Sequence, residues 1–167
     1  MRDNRRDLFF LSKIKSIDNL SKQIAELKRS GKVIVFTNGC FDILHYGHAK
    51  YLQEARGKGD ILVVAVNSDS SIKKIKGKLR PIVDQENRLG LLAALSSVDY
   101  LTLFNEVDPL RVIKKIKPDI LIKGGDWNKS NIIGGDFVKS YGGRVLTVKL
   151  VKGLSTTSLI NKIAKKH

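Results

Sequence analysis

Residues 33–52 read VIVFTNGCFDILHYGHAKYL. The run VIVFT is apolar up to its threonine and rich in β-branched residues, which is typical of a strand covered on both faces of a sheet. The segment HAKYLQEARGKG, which begins at His48, predicts a helix that ends at glycine. A buried strand followed by a helix is the repeating unit of a parallel α/β sheet. The stretch therefore predicts that fold class.

The same alternation continues to the C-terminus. Further strands are expected in DILVVAVNS, DYLTLF, DILIKGGD and RVLTVKL. Further helices are expected in DQENRLGLLAALSSV, DPLRVIKKIKP, GGDFVKSYGG and STTSLINKIAKK. We predict a Rossmann-like, doubly wound α/β fold, with a five-stranded parallel sheet and helices on both faces. Residues 32–167 would form this domain. Residues 1–31 have apolar positions at helical spacing, and we expect them to form an N-terminal helical lead-in.

Composition and charge limit the classes of protein to which this chain can belong. No apolar run is long enough to cross a bilayer, and LFFL near the N-terminus is too short for a signal-peptide core, so we expect a soluble, cytoplasmic protein without membrane insertion. The net charge of +15 would attract nucleic acid, anionic lipid or phosphorylated ligands. The alternative is that most of the lysines simply form a solvated surface. One Trp and four Tyr give no aromatic-basic stripe, so we do not expect nucleic-acid binding.

Two histidines, His45 and His48, lie at the first strand-to-helix junction. Zinc would need further ligands, but the only other histidine is His167 and Cys40 is the only cysteine, so we predict no protein-bound metal. Two ordinary histidines in a turn remain an alternative. Gly47 between them allows close approach to the backbone, and a helix start offers free N–H groups. Phosphate is the ligand that this arrangement favours.

The segment GLSTTSL places three hydroxyls, those of Ser155, Thr156 and Thr157, on the opening turn of the last helix. Helix capping accounts for one of them. Three together after Gly153 indicate a second anion-binding helix start. This motif, TNGCFD, NSD and KGGDW all follow predicted strands, and ligands of doubly wound sheets bind at that edge. We therefore expect them to share one cleft. The P-loop and G-x-G-x-x-G fingerprints are absent.

These residues carry a resemblance. HYGH matches the H-x-G-H signature of the nucleotidyltransferase superfamily, and GLSTT resembles its second motif. In detail the chain is similar to the adenylyltransferase domains of bacterial ADP-heptose synthases, through FTNGCFDILHYGH, VAVNSD, KGKLRP, NRLGLLAAL, VDYL and IKPDILIKGGDW. It departs from glycerol-3-phosphate cytidylyltransferases, which typically read GDDW where this chain has KGGD, and RTEG where residues 150–153 read LVKG.

The resemblance implies transfer of AMP from ATP to D-glycero-β-D-manno-heptose 1-phosphate, giving ADP-heptose and diphosphate for lipopolysaccharide core biosynthesis. ATP and the sugar 1-phosphate would be the partners, and Mg²⁺ would enter with ATP. One alternative is a CTP-dependent cytidylyltransferase that acts on glycerol 3-phosphate or a similar phosphorylated alcohol. An alternative of another class is a basic nucleic-acid-binding protein. Relatives often dimerise, so the resemblance also implies a homodimer as an alternative to a monomer, with the region around SSVDYL as its interface.

The candidate site residues fall into three groups. The catalytic candidates are His45, His48 and one of Lys76 and Lys78. The candidates for nucleotide binding are Thr37, Asn38, Gly39, Cys40, Phe41, Lys123, Gly124, Asp126, Ser155, Thr156 and Thr157. The candidates for acceptor binding are Asp42, Asn67, Asp69, Arg80, Arg88 and Trp127.

Some of these candidates have a second interpretation. Lys76, Lys78 and Arg80 are expected on a flexible segment after the second strand. Asp42 either orients the loop or is a turn residue, and Arg88 either reaches the acceptor phosphate or pairs with a carboxylate.

Overall fold

A computed structural model describes residues 9–125, 132–151 and 153–165. The strands are β1 Ile34–Gly39, β2 Ile61–Asn67, β3 Tyr100–Phe104, β4 Ile120–Gly124 and β5 Arg144–Val148. The α-helices are α1 Ile17–Arg29, α2 Tyr46–Arg56, α3 Asp69–Lys76, α4 Gln85–Ala93, α5 Leu110–Ile116, α6 Gly135–Ser140 and α7 Thr156–Ala164. A short 3₁₀ helix, Phe9–Lys13, precedes them. None of the helices in these ranges has the length and apolar character needed to cross a membrane.

The five strands form one sheet in the order β3-β2-β1-β4-β5, and every pair is parallel. The chain runs outward from β1 through β2 to β3, then crosses over and continues through β4 to β5. The strand order therefore reverses between β1 and β4, which is where doubly wound sheets bind their ligands. The predicted fold class is confirmed.

The core lies on both faces of the sheet because successive strand residues point to opposite faces. On one face Val35 packs in a cluster with Leu52 of α2 and Leu92 of α4. On the other face Phe36 packs with Ile24 of α1 and Val112 of α5. This double coverage explains why the strands read as continuous apolar runs.

The chain after β2 differs from the expectation of a flexible segment. Residues 69–76 form α3, whose first turn is capped by Ser68: the Ser68 hydroxyl accepts a hydrogen bond from the Ser71 amide. The helix ends at Gly77, whose φ of 92° is left-handed. Lys76 therefore lies in the last turn of a helix, and the flexible-segment interpretation is wrong for this lysine. The helix was missed because its only fully buried apolar residue, Ile72, gives no helical periodicity.

Candidate active site

A cavity of about 580 Å³ opens at the carboxyl edge of the sheet. Its walls come from the ends of the strands and from the segments that follow them, as expected for the point where strand order reverses. The predicted site residues that line it are Asn38, Gly39, Cys40, Phe41, Asp42, His48, Asn67, Lys76, Lys123, Gly124 and Thr156. The strand ends thus share one cleft.

The helix starts α2 and α7 meet at this cavity. A Cβ placed on Gly47, in the first turn of α2, would lie 3.6 Å from the Cβ of Leu154, which is two residues before α7. His48 of α2 and Thr156 of α7 both line the cavity. Each helix start carries unpaired N–H groups and the positive end of the helix dipole. The two openings together form a region suited to a polyanion.

The rings of His45 and His48 stack on each other, with centroids 3.9 Å apart and an angle of 19° between their planes. Both nitrogens of His45 and Nδ1 of His48 are buried and have no hydrogen-bond partner in the described part of the chain. Buried polar atoms in proteins are nearly always paired. The fold itself therefore leaves these three nitrogens unused, and of the two rings it is His48 that lines the cavity.

Burial controls the charge of the two imidazoles. Burial, together with smaller contributions from the nearby His45 and Lys76, lowers the pKa of His48 to about 4. Burial also lowers the pKa of His45. Both rings are thus neutral at neutral pH, and each carries one N–H donor. An anion beside them would favour the protonated form, because an opposite charge stabilises it.

Lys123 brings a cation to the cavity from the end of β4. Its ammonium group donates a hydrogen bond to Oδ1 of Asn38 at the end of β1. Burial lowers the pKa of Lys123 to about 8. Within the described residues no carboxylate forms an ion pair with this ammonium group. Among the described residues this largely buried cation thus has only an amide oxygen as its partner, and an anion in the cavity would stabilise its charge.

A family model described as cytidylyltransferase-like matches residues 36–164, a range that includes both helix starts and the cavity between them. The chain belongs to this family. It is therefore a nucleotidyltransferase, and the enzyme class predicted from HYGH and GLSTT is confirmed.

Curated relatives support the family assignment. The chain is 50% identical to the bifunctional protein HldE of Geobacter metallireducens over 156 residues, which are 93% of this chain and 32% of that protein. It is 49% identical to the bifunctional protein HldE of Aliarcobacter butzleri over 152 residues, which are 91% of this chain and 31% of that protein. The chain thus spans about a third of the length of these relatives.

Solved structures also resemble this nucleotidyltransferase. The lipopolysaccharide core biosynthesis protein of Thermoplasma volcanium shares 35% identity and a TM-score of 0.60, with 73% of this chain and 98% of that chain covered. The pantoate-beta-alanine ligase of Francisella tularensis has a TM-score of 0.62 at 17% identity, covering 92% of this chain and 76% of that chain. The second similarity supports the fold alone.

The loop after β1 shapes the family's signature region. Phe41 has a φ of 47°, in the left-handed region that residues other than glycine rarely adopt. Its buried ring contacts the ring of His48 edge to face, with centroids 5.3 Å apart. A Cβ on Gly39 would lie only 3.0 Å from the Phe41 ring. Glycine at position 39 therefore leaves room for the aromatic ring that packs on His48.

Asp42 links this loop by hydrogen bonds to the segment before α4. Its carboxylate is only 2% exposed and accepts hydrogen bonds from Nε of Arg80 at 2.6 Å and from the amides of Ile82 at 2.8 Å and Val83 at 2.9 Å. Both carboxylate oxygens are therefore occupied by donors of the protein itself. The geometry favours the loop-orienting interpretation of Asp42 over acceptor binding, and it assigns Arg80 to the same contact.

We predict that Asp42→Ala lowers the free energy of unfolding by about 3 kcal/mol, because it leaves Arg80 and two amides without their acceptor. Urea denaturation measures this change. Glu54→Ala is the control, since Glu54 and Lys50 form an exposed pair with atoms 4.0 Å apart. That variant should change stability by less than about 0.5 kcal/mol. Equal effects of the two substitutions would contradict the assigned role of Asp42.

Several predicted site residues lie behind the cavity wall instead of in it. Thr37 is fully buried, and its hydroxyl shares a hydrogen bond of 2.6 Å with the Tyr51 hydroxyl. Arg88 is 1% exposed and pairs with Asp69 at 2.7 Å, so the geometry supports the ion-pair interpretation of this arginine.

Asn67, in contrast, lines the cavity, and its side-chain amide donates a hydrogen bond to the Ser71 hydroxyl.

The hydroxyls of the second motif divide between capping and the cavity. Ser155 caps α7: its hydroxyl accepts from the Ser158 amide, and the Ser158 hydroxyl accepts from the Ser155 amide. Capping thus accounts for one hydroxyl, as the sequence allowed. Thr156 lines the cavity, whereas Thr157 is exposed beside it.

The lysine candidates are also separated by the structure. Lys76 lines the cavity, and Lys78 lies in the turn after α3, outside the cavity wall. His45 lies behind His48 and does not itself line the cavity. Two further candidates, Asp126 and Trp127, lie outside the described residues.

Sequence reasoning missed an apolar part of the wall. Ile75, Val107, Ile133 and Leu150 line the cavity, and each is exposed over roughly half of its surface. Apolar walls with a few polar groups are typical of sites for organic ligands. Single apolar residues in turns and helix ends carry no periodic signal, so the sequence offered no way to find them. Tyr51 was detectable, because it lies one turn after His48 on the same helix.

Proposed function

We propose that the chain transfers AMP from ATP to a sugar 1-phosphate, with D-glycero-β-D-manno-heptose 1-phosphate as the acceptor and diphosphate as the leaving group. The observation that carries this proposal is the stacked histidine pair at the point where two helix starts meet, with three buried ring nitrogens that have no partner among the described residues. The resemblance to ADP-heptose synthases supports the choice of acceptor. The relation to a lipopolysaccharide core biosynthesis protein is consistent with it.

The charges that face the cavity suit two anionic substrates. Lys76 and Lys123 contribute cations to its lining, and the only carboxylate among the described lining residues is that of Asp42. Both oxygens of that carboxylate already accept hydrogen bonds from protein donors. A triphosphate and a sugar phosphate therefore meet donors and cations, with little repulsion from the protein.

In the proposed reaction an oxygen of the acceptor phosphate attacks the α-phosphorus of ATP. The bond between that phosphorus and the oxygen bridging to the β-phosphate breaks, and diphosphate leaves with the bond's electron pair. The nucleophile is already an anion, so no general base is required. Catalysis then rests on positioning and on stabilisation of charge.

Each part of the cavity has a role in this scheme. His48 would donate to the reacting α-phosphate, with His45 stacked behind it. Thr156 and the opening turn of α7 would bind the β- and γ-phosphates. Lys76, at the end of α3, would approach the reacting phosphates from the side of β2.

Magnesium would enter as part of the ATP complex. Among the described residues no group of three or more His, Cys, Asp or Glu side chains could hold a metal ion. These residues offer no dedicated cage, so the ion would be held mainly by phosphate oxygens and by the waters that Mg²⁺ usually keeps.

The test is a diphosphate-release assay of the purified chain. ATP and CTP are each combined with heptose 1-phosphate and with glycerol 3-phosphate, and reactions without acceptor correct for hydrolysis. We expect the highest turnover with ATP and heptose 1-phosphate. Preferential turnover of CTP with glycerol 3-phosphate would replace the proposal with the cytidylyltransferase alternative.

A further inference from the structure

Arg88 is the largest fully buried side chain in the described part of the protein, and it lies directly behind the loop that follows β1. Its Nη1 donates to the Cys40 carbonyl at 2.6 Å, Nε to the Val83 carbonyl at 3.0 Å and Nη2 to the Asp69 carboxylate at 2.7 Å. A buried charge is retained only where such partners are in place. The guanidinium group thus joins three segments without lining the cavity.

The contact with Cys40 fixes the orientation of one peptide group. The only cis peptide bond among the described residues is Arg80–Pro81, so the bond between Cys40 and Phe41 is trans. In a planar trans peptide the carbonyl and the following N–H point in opposite directions. Because the Cys40 carbonyl points at Arg88, the Phe41 N–H points away from it.

The Phe41 amide belongs to the loop that lines the cavity. Cys40 and Phe41 both line the cavity, and the Phe41 ring packs on His48. No acceptor in the described ranges pairs with the Phe41 amide. Left-handed backbone of the kind seen at Phe41 is a feature of loops whose amides bind anions.

We infer that Arg88 is a positioning residue that turns the Phe41 amide N–H toward the reacting phosphate by holding the Cys40 carbonyl on the other side of the loop. Arg88 does not touch the substrate, so its effect passes through one peptide group. The inference rests on the proposed function, since it requires a phosphate beside His48.

The experiment compares Arg88→Lys and Arg88→Met with wild type. A lysine has no fork that could reach the carbonyls and the carboxylate together. We expect kcat to fall by about 10²-fold, the effect of losing one donor to the developing charge, with a much smaller change in the KM for ATP. Arg56→Met is the matched control, because Arg56 pairs with Asp99 at 2.6 Å away from the cavity. It should lower the melting temperature without lowering kcat.

A second readout follows the amide itself. In protein labelled with ¹⁵N-phenylalanine, the Phe41 cross-peak is the one that disappears in Phe41→Tyr. We expect this cross-peak to shift when MgATP is added to wild type and to shift much less in Arg88→Lys. Should the Arg88 variants fail to fold, Asp69→Asn, which removes the charge partner of Arg88, is expected to lower kcat and to reduce the same shift.

The outcomes separate the two proposals. If wild type does not turn over ATP with heptose 1-phosphate, the proposed function fails, and this inference fails with it. If wild type turns over these substrates but its Phe41 cross-peak does not respond to MgATP, the inference alone is overturned. If wild type responds but a folded Arg88→Lys keeps both the response and the turnover, the positioning role alone is overturned. The same result with Asp69→Asn, where the Arg88 variants do not fold, overturns it equally.

Discussion

Replacing His48 with alanine is expected to lower kcat by ~10²–10³-fold, the usual effect of deleting one donor to the charge that develops in the transition state. The His48 ring lines the cavity, and its Nδ1 is buried without a partner in the described part of the chain. The fold itself therefore makes no use of this nitrogen as a hydrogen-bonding group. Diphosphate release at saturating ATP and heptose 1-phosphate measures the effect.

The control for this variant is Gln53→Ala. Gln53 lies on the same helix, α2, but is exposed and points away from the cavity. Both variants should keep the circular dichroism spectrum of wild type, and only His48→Ala should lose activity. A folded His48→Ala protein whose kcat is within a few-fold of wild type would rule out the assigned role of this ring.

Lys123→Met is expected to give a protein that is more stable and less active. Burial lowers the pKa of Lys123 from about 10.5 to about 8. One pKa unit corresponds to about 1.4 kcal/mol, so burying this ammonium group costs on the order of 3 kcal/mol at neutral pH. Methionine removes that cost but leaves Asn38 without its donor, so we expect a net gain in unfolding free energy of about 1–2 kcal/mol. Turnover should fall by about 10²-fold.

The pH dependence of stability provides a check on the Lys123 prediction. Below pH 8 the lysine is protonated in both folded and unfolded wild type, and the full cost is present. Between about pH 8 and 10.5 the unfolded chain binds more protons, so the stability of wild type rises with pH. The advantage of the methionine variant should therefore be largest below pH 8 and shrink above it.

The matched control is Lys74→Met, an exposed lysine of α3 that does not line the cavity. Its stability and turnover should stay close to those of wild type at every pH. Urea denaturation from pH 7 to 10 and the diphosphate-release assay measure both quantities. A Lys123→Met protein that is less stable than wild type at pH 7, or fully active, would contradict the account of this cation.

The fold could be predicted because its signal is local. The strands of a sheet covered on both faces must be apolar at nearly every position, and VIVFT and ILVVAV meet that condition and are buried except at their first residues, Val33 and Ile61. Helix α3 was missed for the opposite reason, since it covers little of the core and its start depends on the cap at Ser68. Capped short helices carry little apolar pattern.

The site was only partly predictable, because burial of polar side chains is decided by tertiary packing. The spacing of His45, Gly47 and His48 within one turn placed the two imidazoles together. Nothing in the sequence, however, distinguishes Thr37 and Arg88, whose polar groups are satisfied inside the protein, from Asn38 and Lys123, which face the cavity. Arg88 and Asp69 are 19 residues apart, and no local pattern reveals such a pair.

The most direct test of the account is a crystal structure of the chain with Mg²⁺ and α,β-methylene-ATP. We expect a triphosphate at the meeting point of α2 and α7, with His48 about 2.7–3.2 Å from an oxygen of the α-phosphate and the Thr156 hydroxyl bonded to the outer phosphates. A triphosphate bound elsewhere, with no contact to either helix start, would contradict it.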